Sequence, residues 1–366
     1  MKSLRNLFIF NFILFIFHSN YAFSQENTNK KIIAYWHGEV KELEKYQIKK
    51  LTHLIYCFLH LDGNILKAND HDKIQFKEII KLKEINPDLK IFISLGGWGG
   101  CETCSDIFSQ KKGRIQFSNS VLSILSKYNL DGIDLDWEYP ALPSIEGHSY
   151  YPEDKQNFTL LIEQLRKTLG KKYEISFAAG GFEEFLVKSV EWEKVMPMID
   201  FVNLMNYDII NGNSTSTGHH TPLFSNEYQK ESTQFTVNYL INKKIPREKI
   251  VIGAAFYGRI FENVDSINNG LYQPGKFNAY VNFKDLGKVV NKENGFEYYY
   301  DSISKAAWAY NKKQKLFATY DDKYSVKNKV NYVNEQNLGG IMFWSLNGDY
   351  YEKGLLDIIY NTLEKK

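Results

Sequence analysis

The sequence predicts an α/β protein built on a (β/α)8 TIM barrel, with a small α+β unit inserted between strands 7 and 8. Three observations predict this class. Eight short apolar runs are typical of buried strands, amphipathic helical patterns separate them, and 366 residues are long for one compact domain of another class. The regular alternation of strand and helix favours a closed parallel barrel over an open sheet.

The first segment of the chain has the pattern of a secretory signal peptide. Lys2 and Arg5 precede an apolar run over residues 7–17, and the small residues Ala22 and Ser24, on either side of Phe23, offer a cleavage site. This run is about half of the ~20 residues that a membrane helix needs, and no later segment is long and apolar enough to span a bilayer. We expect residues 1–24 to be removed on export, and the mature protein to be secreted or periplasmic. A buried N-terminal helix is the alternative.

The barrel elements follow in order along the chain. The clearest helical pattern places Phe158, Leu161, Ile162, Leu165 and Leu169 on one stripe. We assign residues 25–260 and 321–366 to the barrel. The strand candidates are residues 31–36, 54–59, 90–95, 132–137, 174–179, 201–206, 250–256 and 340–345.

An insertion separates the seventh and eighth strand candidates. About 80 residues lie between them, roughly twice what one repeat of a ~250-residue barrel uses. Residues 261–320 carry thirteen aromatic side chains, with strand-like stretches and a helical segment near residues 302–312. We expect a small α+β subdomain at the C-terminal mouth of the barrel.

Composition narrows the classes of partner. Basic residues number 45 and acidic residues 43, so loss of Lys2 and Arg5 leaves a formally neutral chain. We therefore expect no nucleic-acid partner and no electrostatic binding to an anionic membrane. Aromatic residues make up 15% of the chain, which suits stacking on the apolar faces of sugar rings.

The cysteines and paired histidines give weaker signals. Cys57 lies in an apolar run and is expected to be a buried thiol, whereas Cys101 and Cys104 could close a small disulfide after export. A metal site at these two cysteines is the poorer interpretation, because no second pair with suitable spacing exists. Adjacent residues such as His219 and His220 rarely share one metal, so we interpret them as loop structure. We expect no metal and no cofactor.

The densest chemical signal is a row of acids at the end of the fourth strand candidate. Side chains alternate along a strand, so Asp134, Asp136 and Glu138 share the face that points into the barrel. Neighbouring carboxylates cannot all ionise in a water-poor space, so stability alone does not explain them. A calcium loop needs ligands on a turning backbone rather than on alternate strand positions. Glu138, the last acid, is our candidate general acid.

These acids and four further motifs resemble glycoside hydrolase family 18, the chitinase family, over the whole mature chain. The acids fit the family's DxxDxDxE signature, beginning at Asp131. Five motifs in order on the predicted strands exceed what chance supplies. The other four are Ser94 to Gly97 (SxGG), Met205 to Asp208 (MxYD), Tyr257 to Arg259 (YxR) and Trp344 on the eighth strand.

The resemblance implies a retaining mechanism in which the substrate's own 2-acetamido group attacks the anomeric carbon. Glu138 would protonate the glycosidic oxygen and later activate water. Asp136 would hold the acetamido N–H and stabilise the oxazolinium ion, with Asp134 sharing a proton with it. Tyr207 would hydrogen-bond the acetamido oxygen. Substrate-binding residues would be Tyr35, Phe58, Gly97, Trp98, Tyr139, Met205, Asp208, Tyr257, Arg259 and Trp344.

Several of these residues also have ordinary structural interpretations. On composition alone, Trp98 and Trp344 could be core aromatics, and Arg259 a surface ion-pair partner. Tyr35 and Phe58 favour packing beside the site over direct contact. Gly96 and Gly97 would let the backbone turn close under the substrate. Many family members carry a tryptophan shortly after MxYD, whereas this chain has none over residues 209–213.

The expected partner is chitin or N-acetylglucosamine oligosaccharides, acted on by a monomer. One alternative is an endo-β-N-acetylglucosaminidase acting on N-glycan cores, whose relatives usually lack the insertion. The other is a non-catalytic chitin-binding lectin on the same barrel, and such proteins typically lose the glutamate.

Overall fold

The computed structural model describes residues 30–364, so the predicted signal segment 1–24 lies outside the described residues. The strands are β1 Lys31–Trp36, β2 His53–Asp62, β3 Ile65–Lys67, β4 Lys90–Gly96, β5 Gly132–Asp136, β6 Glu174–Gly180, β7 Phe201–Met205, β8 Ile250–Ala255, β9 Tyr257–Glu262, β10 Lys276–Asn282, β11 Glu297–Asp301, β12 Ala306–Asn311, β13 Leu316–Tyr320 and β14 Gly340–Trp344.

The larger sheet closes on itself as a parallel barrel. Its strands lie in the order β1, β14, β8, β7, β6, β5, β4, β2, and β2 pairs again with β1. The short strand β3 pairs antiparallel with the end of β2. The predicted (β/α)8 TIM barrel is confirmed, and each barrel strand overlaps its predicted run.

The helices cover the outside of this barrel. The predicted stripe on helix α5 (Asp154–Leu169) is buried: it consists of Phe158, Leu161, Ile162, Leu165 and Leu169. This helix ends at Gly170, which has a positive φ of 61°. The α-helices are α1 Asp70–Ile79, α2 Leu82–Ile85, α3 Cys104–Ser109, α4 Lys111–Tyr128, α5 Asp154–Leu169, α6 Glu183–Lys188, α7 Trp192–Val195, α8 Thr233–Asn242, α9 Phe283–Val289, α10 Lys323–Glu335 and α11 Leu355–Leu363.

Strand alternation divides the apolar residues of the barrel between two cores. On β1, Ile32, Ala34 and Trp36 pack outward against the helices, whereas Ile33 and Tyr35 point into the barrel. The inner core is small, because the inward positions near the carboxyl ends of the strands carry polar side chains. The barrel therefore has a packed base and a polar mouth.

The segment between β8 and β14 forms a second, antiparallel sheet with the order β10, β9, β13, β12, β11. The predicted boundary after residue 260 falls inside β9. The predicted helix near residues 302–312 is wrong, because that stretch holds the fully buried strand β12, which pairs with β11 and β13. The helix of this region is α9 instead. Pairing on both edges overrides the helical preference of an alanine-rich run.

The cysteines behave as their surroundings suggest. Cys57 is a buried free thiol, and Cys101 and Cys104 form a disulfide with a Cα–Cα distance of 5.0 Å. Among residues 30–364, no helix is long and apolar enough to cross a membrane.

Candidate active site

A groove of about 710 Å³ opens at the carboxyl ends of the barrel strands, and we call it the groove throughout. The strands carry alternating inward side chains to this end of the barrel, so residues far apart in sequence meet there. It is lined by Tyr35, Phe58, Trp98, Asp136, Glu138, Tyr139, Ala178, Gly180, Gly181, Phe182, Glu184, Met205, Tyr207, Asp208, Ile209, Asn211, Gly212, Asn213, Glu231, Tyr257, Arg259, Tyr280 and Trp344.

Asp134 lies beneath the groove, fully buried, and accepts hydrogen bonds on both carboxylate oxygens. Burial raises its pKa, whereas the hydrogen bonds favour its ionised form. Each carboxylate oxygen of Asp134 accepts from two donors. The donors are Ser176 Oγ at 2.6 Å, Tyr35 Oη at 3.0 Å, Ser94 Oγ at 3.2 Å and Asn203 Nδ2 at 3.2 Å.

Asp136 is the next inward side chain along β5, and its surroundings are the reverse. Its Oδ1 is buried and has no hydrogen-bond partner among the described residues. Burial raises the pKa of Asp136 well above its usual value, and the charges of Glu138 and Asp134 add to the rise. Asp136 therefore holds a proton far more readily than Asp134, and it presents an unused oxygen at the groove floor.

Glu138 follows β5 and reaches the groove surface. Burial raises its pKa to about 7, the neighbouring Tyr139 hydroxyl opposes the rise, and the charge of Asp208 adds to it. A carboxyl group with this pKa is partly protonated at neutral pH, so it can both donate and accept a proton.

Asp208 follows β7, two strands along the barrel from β5, and is held as an anion. Its Oδ1 accepts from Tyr257 Oη and from Arg259 Nε, both at 2.6 Å, and His220 Nδ1 lies 3.7 Å away. Burial would raise the pKa of Asp208, but the nearby His220 ring and the hydrogen bond and charge of Arg259 hold it well below its usual range. Asp208 has a positive φ of 57°, which aims its side chain at these partners.

Aromatic rings form the floor of the groove. Trp344 lies nearly parallel to Phe58, with ring centroids 5.6 Å apart, and Tyr35 contacts it at 5.9 Å. Trp98, on the loop after β4, is 58% exposed and faces Tyr139. Exposed and half-exposed rings along a groove suit stacking on sugar faces.

The structure brings almost all of the predicted site residues to the groove. Two do not line it. Asp134 supports the floor from below, and Gly97 lies under the ring of Phe58, where any side chain would collide with that ring. Gly97 has a φ of 77° and donates its N–H to the carbonyl of Asp136 at 2.9 Å. It therefore lets the ring of Phe58 pack close to the end of β5.

The sequence analysis missed several residues that the structure places at the site. Ser176 and Asn203 hold Asp134, and their signal was a polar residue at an inward position of an otherwise apolar strand. Tyr280 on β10 lines the groove and stacks on Tyr257 with centroids 4.6 Å apart. It lies on a half-exposed strand, so no pattern in the sequence distinguishes it.

The two histidines lie in the loop after β7, as expected, and point to different partners. His219 Nε2 lies 3.1 Å from Asp301 of the inserted sheet, whereas His220 faces Asp208. The described residues contain no group of three His, Cys, Asp or Glu side chains that could hold a metal ion.

An acid-lined, aromatic-floored groove at the C-terminal mouth of a barrel is typical of glycoside hydrolases. The profile of the family "Glycosyl hydrolases family 18" matches residues 21–349. The chain belongs to this family.

Relatives and solved structures agree with this assignment. Chitinase A1 of Niallia circulans is 35% identical over 296 residues, which cover 74% of this chain and 42% of that protein. An oviduct-specific glycoprotein of Mesocricetus auratus is 31% identical over 316 residues, covering 81% of this chain and 46% of that protein. The chain thus spans less than half the length of these curated relatives.

Among solved structures, a family 18 N-acetylglucosaminidase from Paenibacillus barengoltzii superposes with a TM-score of 0.84 at 34% identity. The match covers 92% of this chain and 100% of that one.

Proposed function

We propose that this protein is a chitinase that hydrolyses β-1,4 linkages between N-acetylglucosamine units with retention of configuration. The observation that carries the proposal is an unpartnered carboxyl oxygen and a weakly bonded hydroxyl in the same groove. Asp136 Oδ1 has no hydrogen-bond partner among residues 30–364, and the Tyr207 hydroxyl donates there only to the weak acceptor Met342 Sδ, at 3.7 Å. An acetamido group would satisfy both, its N–H on Asp136 and its carbonyl oxygen on Tyr207.

The reaction then proceeds in two steps. Glu138 gives its proton to the glycosidic oxygen while the acetamido oxygen attacks the anomeric carbon and the leaving sugar departs. The resulting oxazolinium ion carries a positive charge, which the Asp136 carboxylate stabilises after its proton passes to Asp134, the preceding inward acid of β5. Glu138, now ionised, takes a proton from water as that water opens the ring from the same face.

The remaining residues bind and orient the substrate. Trp344 offers its face to the sugar that is cleaved, and Asp208 and Arg259 offer polar atoms to the sugar hydroxyls. Tyr35, Phe58, Tyr139, Met205 and Tyr257 shape the groove around them. Residues 261–320, which include Tyr280, would form a wall along one side of the groove. Such a wall favours an extended polymer over an N-glycan core or a lectin ligand.

Export is part of the proposal. A disulfide such as Cys101–Cys104 persists in oxidising compartments, which agrees with the signal-peptide pattern of residues 1–24. The groove is complete within one chain, so we propose that the enzyme works as a monomer. N-terminal sequencing of the exported protein should begin near residue 25.

A second candidate activity is release of single N-acetylglucosamine units from chain ends. It is favoured by the similarity to the N-acetylglucosaminidase structure, at 34% identity and full coverage of that chain. The sizes of the first products from an N-acetylglucosamine hexamer separate the two activities, since end-wise release gives monomer and pentamer alone.

The mechanism is tested by product stereochemistry and by removal of the acetamido group. NMR of the hexamer digestion should show the β-anomer first, and glucosamine hexamer should not be cleaved, because it lacks the nucleophile. An initial α-anomer, or cleavage of the glucosamine hexamer at a comparable rate, would contradict the proposal.

A further inference from the structure

Trp98 stands at the tip of a loop that is rich in glycine. Gly96, Gly97 and Gly99 all have positive φ, between 77° and 103°, and Gly100 N–H donates to the Gly97 carbonyl at 2.8 Å. Glycine loses more conformational freedom on ordering than any other residue. The Trp98 indole is 58% exposed, so its packing against the rest of the protein does little to order this loop.

The Cys101–Cys104 disulfide lies directly behind that loop. The two residues are 4% and 0% exposed and belong to the main apolar core. Cys104 N–H donates to the Cys101 carbonyl at 3.2 Å, and a Cβ placed on Gly96 would lie 3.2 Å from Cys101 Sγ. The bridge therefore ties the end of the glycine loop to the core and packs against its beginning.

We propose that this disulfide is a positioning element that holds Trp98 in its sugar-stacking place. A bridge that joins residues only three apart closes a very short loop, so it restricts the unfolded chain little. Its effect is local, and Trp98, three residues before Cys101, is the exposed aromatic side chain nearest to it along the chain. The inference rests on the proposed function, because it assumes that Trp98 stacks on the substrate.

The test is a double-mutant cycle on an N-acetylglucosamine hexamer. Cys101→Ala/Cys104→Ala keeps apolar side chains in the buried site and removes the bridge. KM should rise about three- to tenfold, the size of a stacking contact, while kcat stays within about twofold. Trp98→Ala should raise KM by a similar factor, and removing the bridge in the Trp98→Ala background should add less than about 1.5-fold.

Each outcome decides between the ideas. An unchanged KM without the bridge, or an equal further rise in the Trp98→Ala background, overturns the positioning role. An unchanged KM in Trp98→Ala removes the stacking role and the inference with it, and leaves hydrolysis standing. Absence of any turnover by the wild type overturns the proposed function, and hexamer affinity from calorimetry then replaces KM in the same cycle.

Loss of folding in the alanine pair would appear as a lost thermal transition. The same cycle is then run on wild type and Trp98→Ala treated with dithiothreitol. This reagent converts the bridge to two thiols and is itself oxidised to a cyclic disulfide.

Discussion

Two sets of carboxyl side chains lie in or beneath one groove and differ in the direction of their pKa shifts. One set is Asp134 and Asp136 on β5, with Glu138 just after it. None of these acids is paired with Lys or Arg among the described residues, and the pKa of each is raised. Asp208, whose side chain is 36% exposed, is bonded to Arg259, and its pKa is lowered.

This difference shows that burial alone does not decide the protonation state of a carboxyl group in this barrel. Burial raises the pKa in both sets, and a paired cation reverses the direction in one set only. The β5 acids can therefore hold the proton that the reaction transfers, while Asp208 supplies a fixed negative charge. Substitutions at Glu138, Lys329 and Asp208 test this difference between unpaired and paired carboxyl groups.

The largest effect is expected at the acid with the pKa nearest neutrality. Glu138→Gln keeps the shape of the side chain but cannot transfer a proton, so kcat on the hexamer should fall by a factor of about 10² to 10⁴. Calorimetry should show hexamer binding within about threefold of wild type. Glu184→Gln is the matched control, since Glu184 lines the same groove but is paired with Lys188 on an exposed helix. Equal losses in the two variants would contradict the acid assignment.

A further carboxylate, away from the groove, tests how strongly a paired cation stabilises a buried acid. Asp321 and Lys329 are both fully buried, with Lys329 Nζ 2.5 Å from Asp321 Oδ2. Lys329→Met would leave an uncompensated buried charge, so the free energy of unfolding in urea should fall by about 3–5 kcal/mol. Lys327→Met, an exposed position on the same helix, should change it by less than about 0.5 kcal/mol. Equal free energies of unfolding for the two variants would show that the Lys329 charge does not stabilise buried Asp321.

The sequence predicted the barrel because strand and helix periods are local properties of the chain. The β5 acids could be predicted for the same reason, since their alternation lies within one strand. Asp321 lies only 8 residues before Lys329, but Thr221 reaches Lys329 from 108 residues away, so that contact could not be predicted locally. The inserted sheet was harder still, because β12 gains its strand conformation from partners on both sides.

Contacts that depend on packing between elements were also beyond the sequence. The four donors to Asp134 come from four different strands, and only Tyr35 among them was a predicted site residue. Tyr280 enters the groove because β10 pairs with β9, a long-range contact with no local signature. The roles of the site residues remain predictions.

We propose that Glu138 carries the proton and that the fixed charge of Asp208 helps it to do so. The pH dependence of kcat/KM on the hexamer, compared between wild type and Asp208→Asn, tests this most directly. Because Glu138 acts as an acid, the rate should fall as pH rises through an apparent pKa of about 7 in the wild type. Removing the negative charge of Asp208 makes ionisation of Glu138 easier, so this alkaline limb should move to lower pH by about 0.5 to 1 unit, or roughly 1 kcal/mol. A limb that stays in place or moves to higher pH in Asp208→Asn would contradict the account.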